Sequence, residues 1–222
     1  MNKFLQFFVA LVLTIGMVSC QSAPDAPKAD TQEAKDTTTP TKAGEELMID
    51  LEQSSVTFIG TKPTGQHTGV VKISKGSSLT INNGEITGGK FEMDLTSFKI
   101  TDLEGENGEK LTNHLKSNDF FDVVNHPTAT FEVTGVKPYA GEEGNEASGA
   151  THMISGNLTL KGVTKNIAFP ASLGVDRGMA RGRANFNIDR TEWGLAYGND
   201  KSLGDRFINP QVNIQLMIMT EK

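Results

Sequence analysis

The chain has 222 residues, a formal net charge of −6 and a sequence pI near 5.3. An acidic chain with no Lys/Arg cluster does not match a phosphate backbone, so nucleic acid is not an expected partner. Its single cysteine, Cys20, excludes a disulfide framework, a Cys-based metal site and thiol catalysis in the folded part. Lys72, Lys75, Arg177, Arg181 and Arg183 are interleaved with polar strand and turn residues and read as solvated faces.

Met1-Asn2-Lys3 forms a short charged n-region, and Phe4 to Ile15 is nearly all apolar. That run is shorter than the roughly 20 residues needed to cross a bilayer, so it reads as the core of a signal peptide. Gly16-Met17-Val18-Ser19-Cys20 resembles a bacterial lipobox, with Met17 where that pattern prefers Leu. The resemblance implies a diacylglycerol on the Cys20 thiol, cleavage before it and acylation of the new amine. The product would be a lipoprotein of the bacterial cell envelope, held to a membrane by its anchor. An ordinary secretory signal with a stray cysteine is the alternative, but the position of the single cysteine at this spot favours the lipobox.

The expected organisation is a signal peptide over 1–19, a tether over 20–46 and one domain over 47–222. Gln21 to Glu46 is rich in Ala, Thr, Pro, Asp and Lys and has no aromatic residue. It has too little apolar surface to offset chain entropy and is expected to be a disordered coil. Such a coil spans on the order of 28 Å.

From Leu47 onward the hydrophobic period is two, the spacing of half-buried strands. Val56 and Phe58 alternate with Ser55 and Thr57; Phe91, Met93 and Leu95 with Lys90, Glu92 and Asp94; Phe131 and Val133 with Thr130, Glu132 and Thr134. Leu158 and Leu160, Phe186 and Ile188, and the run Val212, Ile214, Leu216, Ile218 continue the pattern. Asn82-Asn83-Gly84 is the strongest hairpin signal, and Lys75-Gly76-Ser77, Gly88-Gly89, Gly141 to Gly149 and Lys161-Gly162 read as further turns. Many short strands with frequent glycine indicate a sandwich or a barrel, and alternation alone does not choose between them. One stretch breaks the period. Leu111, His114 and Leu115 fall at helical spacing, Ser117-Asn118-Asp119 offers N-cap oxygens before Phe120-Phe121, and Asn125-His126-Pro127 stops any helix. One or two short helical turns are expected here, with Phe120 and Phe121 plugging the open side of the sheet.

The run His114-Leu115-Lys116-Ser117-Asn118-Asp119-Phe120-Phe121-Asp122-Val123, followed by His126-Pro127-Thr128-Ala129-Thr130-Phe131, closely resembles a motif of the YceI-like family of lipid-binding proteins. Ile49 to Phe58 is similar to that family's opening strand, Gly156 to Lys165 to its "GxLTxxGVT" hairpin, and Arg190 to Leu195 to its "RxxFGL" segment, with Trp193 where Phe is usual. The likeness covers about Met48 to Thr220. It implies an all-β fold: an extended antiparallel, lipocalin-like β-barrel with a deep apolar channel for a polyisoprenoid or similar lipid. Members of that family often pair, so the resemblance allows a homodimer and leaves the oligomeric state open. Two departures bear on the mouth of such a channel: the acidic, glycine-rich loop Gly141 to Gly149, and Lys62 to His67 in place of a more apolar segment.

An eight-stranded barrel is either filled by its side chains or just wide enough for one thin ligand. The inward alternation nominates Phe58, Phe91, Met93, Phe131, Leu158, Phe169, Phe186, Trp193 and Ile214 as lining for an apolar lipid, with plain core packing as the alternative for each. No cofactor beyond such an isoprenoid-type lipid is expected. His67, His114, His126 and His152 form no metal-ligand spacing, and His114 is expected to make a buried hydrogen bond that fixes the helical turn. Asp119 and Asp122 read as caps or turn formers, and the carboxylate pairs Glu104/Glu106 and Glu142/Glu143 as solvated loop residues. No nucleophile elbow or phosphate-binding loop is present, so catalysis is not expected. The two competing functions are a lipid carrier and a packed interaction module that contacts an envelope partner through loops Leu103 to Glu109 and Gly141 to Gly149. An enzyme acting on its bound lipid ranks third.

Overall fold

In the computed structural model the alternating segments form strands that close into a ring. Residues 22–36, 44–141 and 149–222 are described; the signal peptide, Cys20 and residues 142–148 of the glycine-rich loop lie outside them. The strands are β1 (Asp30–Glu33), β2 (Glu45–Met48), β3 (Ser55–Lys62), β4 (Gly65–Ile73), β5 (Ser78–Asn82), β6 (Glu85–Ile100), β7 (Thr128–Pro138), β8 (His152–Leu160), β9 (Val163–Asp176), β10 (Met179–Asp189) and β11 (Gln211–Met219), with one α-helix, α1 (Gly105–Lys116), between β6 and β7. The order β6-β4-β3-β11-β10-β9-β8-β7 returns to β6 through a further β6–β7 pairing. The result is a closed eight-stranded antiparallel barrel, as the family resemblance implied. β2 and β5 extend the sheet from the first half of β6 and cover one end.

Local chemistry explains the turns. The β5–β6 hairpin places Asn83 at φ 52° and Gly84 at φ 79°, the left-handed pair that matches strand twist. Lys161-Gly162 and Arg177-Gly178 repeat the device between β8, β9 and β10. Gly88-Gly89 is not a turn. It lies inside β6, opposite the register shift at Thr80/Ile81, where small residues let the strand bend.

The helical segment is longer than its periodicity suggested. α1 starts at Gly105, so most of the stretch Leu103 to Glu109 is helix rather than loop. Ser117 is its C-cap and not the start of a new helix, and its amide bonds back to the His114 carbonyl. Leu111 and Leu115, four residues apart on one face, border the barrel interior. Lys110 pairs with Glu106 at 2.8 Å on the outer face. The helix is tied to β6 by Lys116 Nζ, which donates to the Thr96 carbonyl at 2.6 Å, and by the Ile100 amide, which donates to Thr112 Oγ1 at 3.2 Å. Short 3-10 helices follow at Arg190–Trp193 and Lys201–Arg206.

Residues 22–36 are not a coil. β1 pairs antiparallel with β9, Asp30 opposite Ala168 through Glu33 opposite Lys165, and Lys28 bridges Asn187 of β10 in parallel. Composition argued for disorder because apolar burial is scarce. What orders the segment is hydrogen bonding instead, since β9 and β10 splay and leave backbone groups that a strand can satisfy.

The main core cluster joins Leu95, Phe98, Val133, Ile154, Ile167, Phe169, Phe186 and Trp193, and a second one at the β2/β5 end joins Ile49, Ile73, Leu79, Ile86 and Ile218. Packing against the wall is close where glycine stands under an aromatic ring. A Cβ on Gly156 would lie 2.2 Å from Phe131 Cζ and 2.8 Å from the Glu132 carbonyl oxygen. Gly156→Ala must therefore displace the Phe131 ring, and urea unfolding is expected to show a loss of about 1–3 kcal/mol. At the α1 end, Asp102 accepts from the Thr68 amide at 2.8 Å and lies 2.9 Å from His67 Nδ1, joining β4 to the end of β6. Partial burial pushes the Asp102 carboxyl up, but the His67 and Thr68 hydrogen bonds outweigh it and hold the group below its ordinary value. Its contribution is thus full above the unfolded carboxylate pKa and is lost as pH falls through the lower folded value. Asp102→Asn is expected to lower stability at neutral pH, with the gap to the parent closing in acid, as read by thermal unfolding across pH.

Candidate functional site

The barrel encloses a cavity of about 390 Å³. Ligand pockets run from roughly 300 to 1,000 Å³, so this space exceeds a packing defect. It is bordered by Ile73, Leu79 and Ile218 at the β2/β5 end and by Leu111, Leu115 and Phe120 at the α1 end, so it follows the barrel's length. Its shape comes from period-two alternation on a closed ring, which sends every second side chain of eight strands to one lumen.

Eight of the nine nominated residues border the cavity: Phe58, Phe91, Met93, Phe131, Leu158, Phe169, Phe186 and Ile214. The aromatic ones form a belt across the strands. Phe91 and Phe131 lie 6.4 Å apart between ring centroids, Phe131 and Phe169 5.8 Å, and Phe169 and Phe186 stack at 3.9 Å with planes 8° apart. Trp193 is the exception. It is 0% exposed yet does not border the cavity, and its indole N–H donates to the Leu158 carbonyl at 3.0 Å. The chain has left β10 by then and entered a 3-10 turn, so strand alternation no longer applies. A buried indole also needs an acceptor, which the wall's backbone supplies.

Phe98 was not nominated. It meets Phe58 edge-on at 5.4 Å and Phe121 at 4.7 Å, forming a second aromatic group beneath α1. The alternation that runs through Phe91, Met93 and Leu95 changes phase before Phe98 and Ile100. The cause is a bulge: Val70 pairs with Lys99 while Lys72 pairs with Asp94. Asp94 closes the bulge by accepting from the Thr96 amide and hydroxyl, at 2.9 and 2.6 Å. Phe120 and Phe121 both border the cavity at the α1 end, where they were expected to act as a plug.

Thr61, Lys62, His67 and Arg190 border the cavity toward the α1 end, and Arg183 borders it nearer the β2/β5 end, beside Gly182, which pairs with Ile218. Arg190 is 4% exposed, and its guanidinium donates to the carbonyls of Asn209 at 3.2 Å, Ile208 at 2.9 Å and Leu195. Burial pushes its pKa down and Asp189 partly restores it; three carbonyl oxygens let the cation stay in place. Thr61 is 2% exposed and its hydroxyl has no hydrogen-bond partner. A buried polar atom left so is costly and calls for an explanation.

His114 does not make the expected buried hydrogen bond. Its side chain is 37% exposed, with Nε2 3.4 Å from Asp119, and its ring stands edge-on to Phe120 and Tyr197. A helix face turned outward at this position leaves the imidazole half in water. Asp122 is a turn former, at φ 48° and bound by the Asn125 amide. Among the described residues no three metal-ligating side chains converge, and no helix is long and apolar enough to cross a membrane.

A YceI-like domain model matches residues 47–219. A UPF0312 protein of Azotobacter vinelandii is 40% identical over 75 residues, 34% of each chain, and the UPF0312 protein PA0423 of Pseudomonas aeruginosa is 48% identical over 60 residues, 27% of each. These alignments thus span about a third or less of the relatives' length. Among solved structures, Burkholderia cenocepacia BcnA aligns with a TM-score of 0.61 at 18% identity, covering 78% of this chain and 99% of that one. A polyisoprenoid binding domain from Saccharophagus degradans aligns with a TM-score of 0.57 at 16% identity, covering 78% and 97%. At such identity the structural likeness speaks to the fold alone, and the match over residues 47–219 decides the lineage: this chain belongs to the YceI-like family.

Proposed function

We propose that the barrel binds, stores or carries a long apolar lipid of polyisoprenoid or quinone-like type, and does so without catalysis. The supporting observation is the elongated cavity of about 390 Å³ bordered almost wholly by aromatic and aliphatic side chains. Burying hydrocarbon there gains roughly 25 cal/mol per Å², so a chain of several prenyl units binds with few polar contacts. The name of the Saccharophagus degradans neighbour, a polyisoprenoid binding domain, is consistent with that ligand class.

The same reading makes the protein an envelope lipoprotein anchored through Cys20. Docking of the chain begins at Pro24, four residues after Cys20. Four residues reach at most about 14 Å. An anchor at Cys20 would therefore hold the barrel close to the bilayer surface, well inside the 28 Å expected of a free coil, where an apolar ligand has a short path to its lipid phase.

Native mass spectrometry of the protein, followed by solvent extraction, tests the assignment. A co-purifying long-chain lipid is the expected result; an empty barrel that refuses long-chain isoprenoids overturns it and leaves an interaction module. Phe91→Glu places a charge on the cavity wall and is expected to abolish uptake, while circular dichroism shows the fold retained.

A further inference from the structure

One seam of the barrel wall, between β9 and β10, is completed by a third strand. β9 and β10 pair from Asp176–Met179 to Ala171–Ala184, and the ladder stops there. The next residue of β9 is Pro170, which has no N–H to donate. Asn185 to Asp189 of β10 then run without β9 beside them. At about 3.4 Å per residue that leaves a slot of roughly 17 Å. Ile167 and Phe169 on one side of the slot and Phe186 and Ile188 on the other all border the cavity.

The chain's own segment Pro24–Lys35 fills the slot. It lies outside the residues matched by the family model. Side-chain amides grip its two ends by the backbone. Asn187 Nδ2 donates to the carbonyls of Pro24 and Ala26, at 2.9 and 3.2 Å. At the far end Asn157 accepts from the Lys35 amide at 3.0 Å and donates to the Lys35 carbonyl at 2.7 Å, copying a β-ladder pair. Asn166 Nδ2 holds Asn157 in place at 2.9 Å. Between the grips run the β1–β9 ladder and a Glu33–Lys165 ion pair at 2.6 Å.

Burial holds this strand less than any other in the wall. Ala29 is its one residue in the core cluster. Thr31 keeps a buried hydroxyl without a partner. Hydrogen bonds that water can replace, with little apolar area, are the mark of a segment that opens ahead of the whole fold.

We propose that the β9–β10 seam is a strand-binding site, that Pro24–Lys35 is its removable occupant, and that release of this strand opens the side of the barrel to admit and discharge the apolar ligand. The ligand class rests on the lipid-binding reading above. Phe169 and Phe186 stand behind the strand with their rings stacked at 3.9 Å, so a linear hydrocarbon entering along the slot must also part these two rings. At one end of the cavity α1 contributes Leu111 and Leu115 to the border, next to Phe120 and Phe121, and at the other end β5 contributes Leu79.

Two measurements on the full-length protein test this. In amide exchange of the parent, the Ala29 to Glu33 amides are expected to exchange at least roughly tenfold faster than those of β8 and β10; protection equal to the wall overturns a removable strand. The second uses Asp30→Cys with Ala168→Cys, an outward-facing pair in register. Uptake of a dansyl-labelled geranylgeranyl probe is followed with the pair oxidised and then reduced. Oxidation is expected to slow uptake by roughly tenfold or more, with recovery on reduction. Equal rates in the two states overturn the seam as the route. Absence of probe binding in both states overturns the lipid-binding reading itself, and with it the route.

Discussion

Five residue pairs, from Lys90 opposite Glu132 to Asp94 opposite Thr128, turn an open sheet into a tube. Without them β6 and β7 would be edges, and the apolar face of every strand would need another layer to cover it. With them the inward positions of eight strands converge on one axis. Eight strands leave an interior that side chains only just fill. Whether space remains then depends on how the rings lie against the wall. The ring tips of Phe131 and Phe58 rest against Gly156 and Gly69, where a side chain would fill the space the rings occupy. The lumen is the result of closure and of this arrangement of phenylalanine over glycine.

Closure is not uniform around the ring. β9 bends away from β10 at Pro170, and the wall is completed there by a strand from the other end of the sequence. The residues that receive it sit at outward positions, where asparagine reads at first as ordinary surface polarity. Asn157, Asn166 and Asn187 are in fact 8%, 3% and 8% exposed; Asn157 and Asn187 bond to the backbone of the added segment, and Asn166 bonds to Asn157. A buried amide is stable only when its donors and acceptors are met. Asn157 and Asn187 are met by the added segment, Asn166 donates to Asn157 and to Thr134 Oγ1, and Asn187 also accepts from Asn213.

The cavity is apolar along nearly its whole length, with Lys62, His67 and Arg190 among the few polar residues at its border toward α1 and Arg183 nearer the other end. Arg190 is held by three main-chain carbonyls, so its orientation is set by the fold and not by a mobile counter-ion.

Much of this was legible in the amino-acid order. Alternation placed Phe58, Phe91, Met93, Phe131 and Ile214 on one face of their strands, because a strand's period is a local property of the backbone. Turn chemistry marked Asn83-Gly84 and Lys161-Gly162, because positive φ is also local. The motif around Phe120-Phe121 carried the lineage. Three things were decided only by the tertiary structure. Phe98 joined the lining because a bulge, set by pairing with β4, shifted the phase of β6. Trp193 left the lining because its indole N–H found an acceptor in a strand 35 residues away. The segment 22–36 became part of the wall although its composition promised a coil, because the hydrogen-bonding partners that order it belong to β9 and β10, more than a hundred residues further along. A local sequence carries its own period and its own turns; it does not carry the unsatisfied backbone groups of a distant strand.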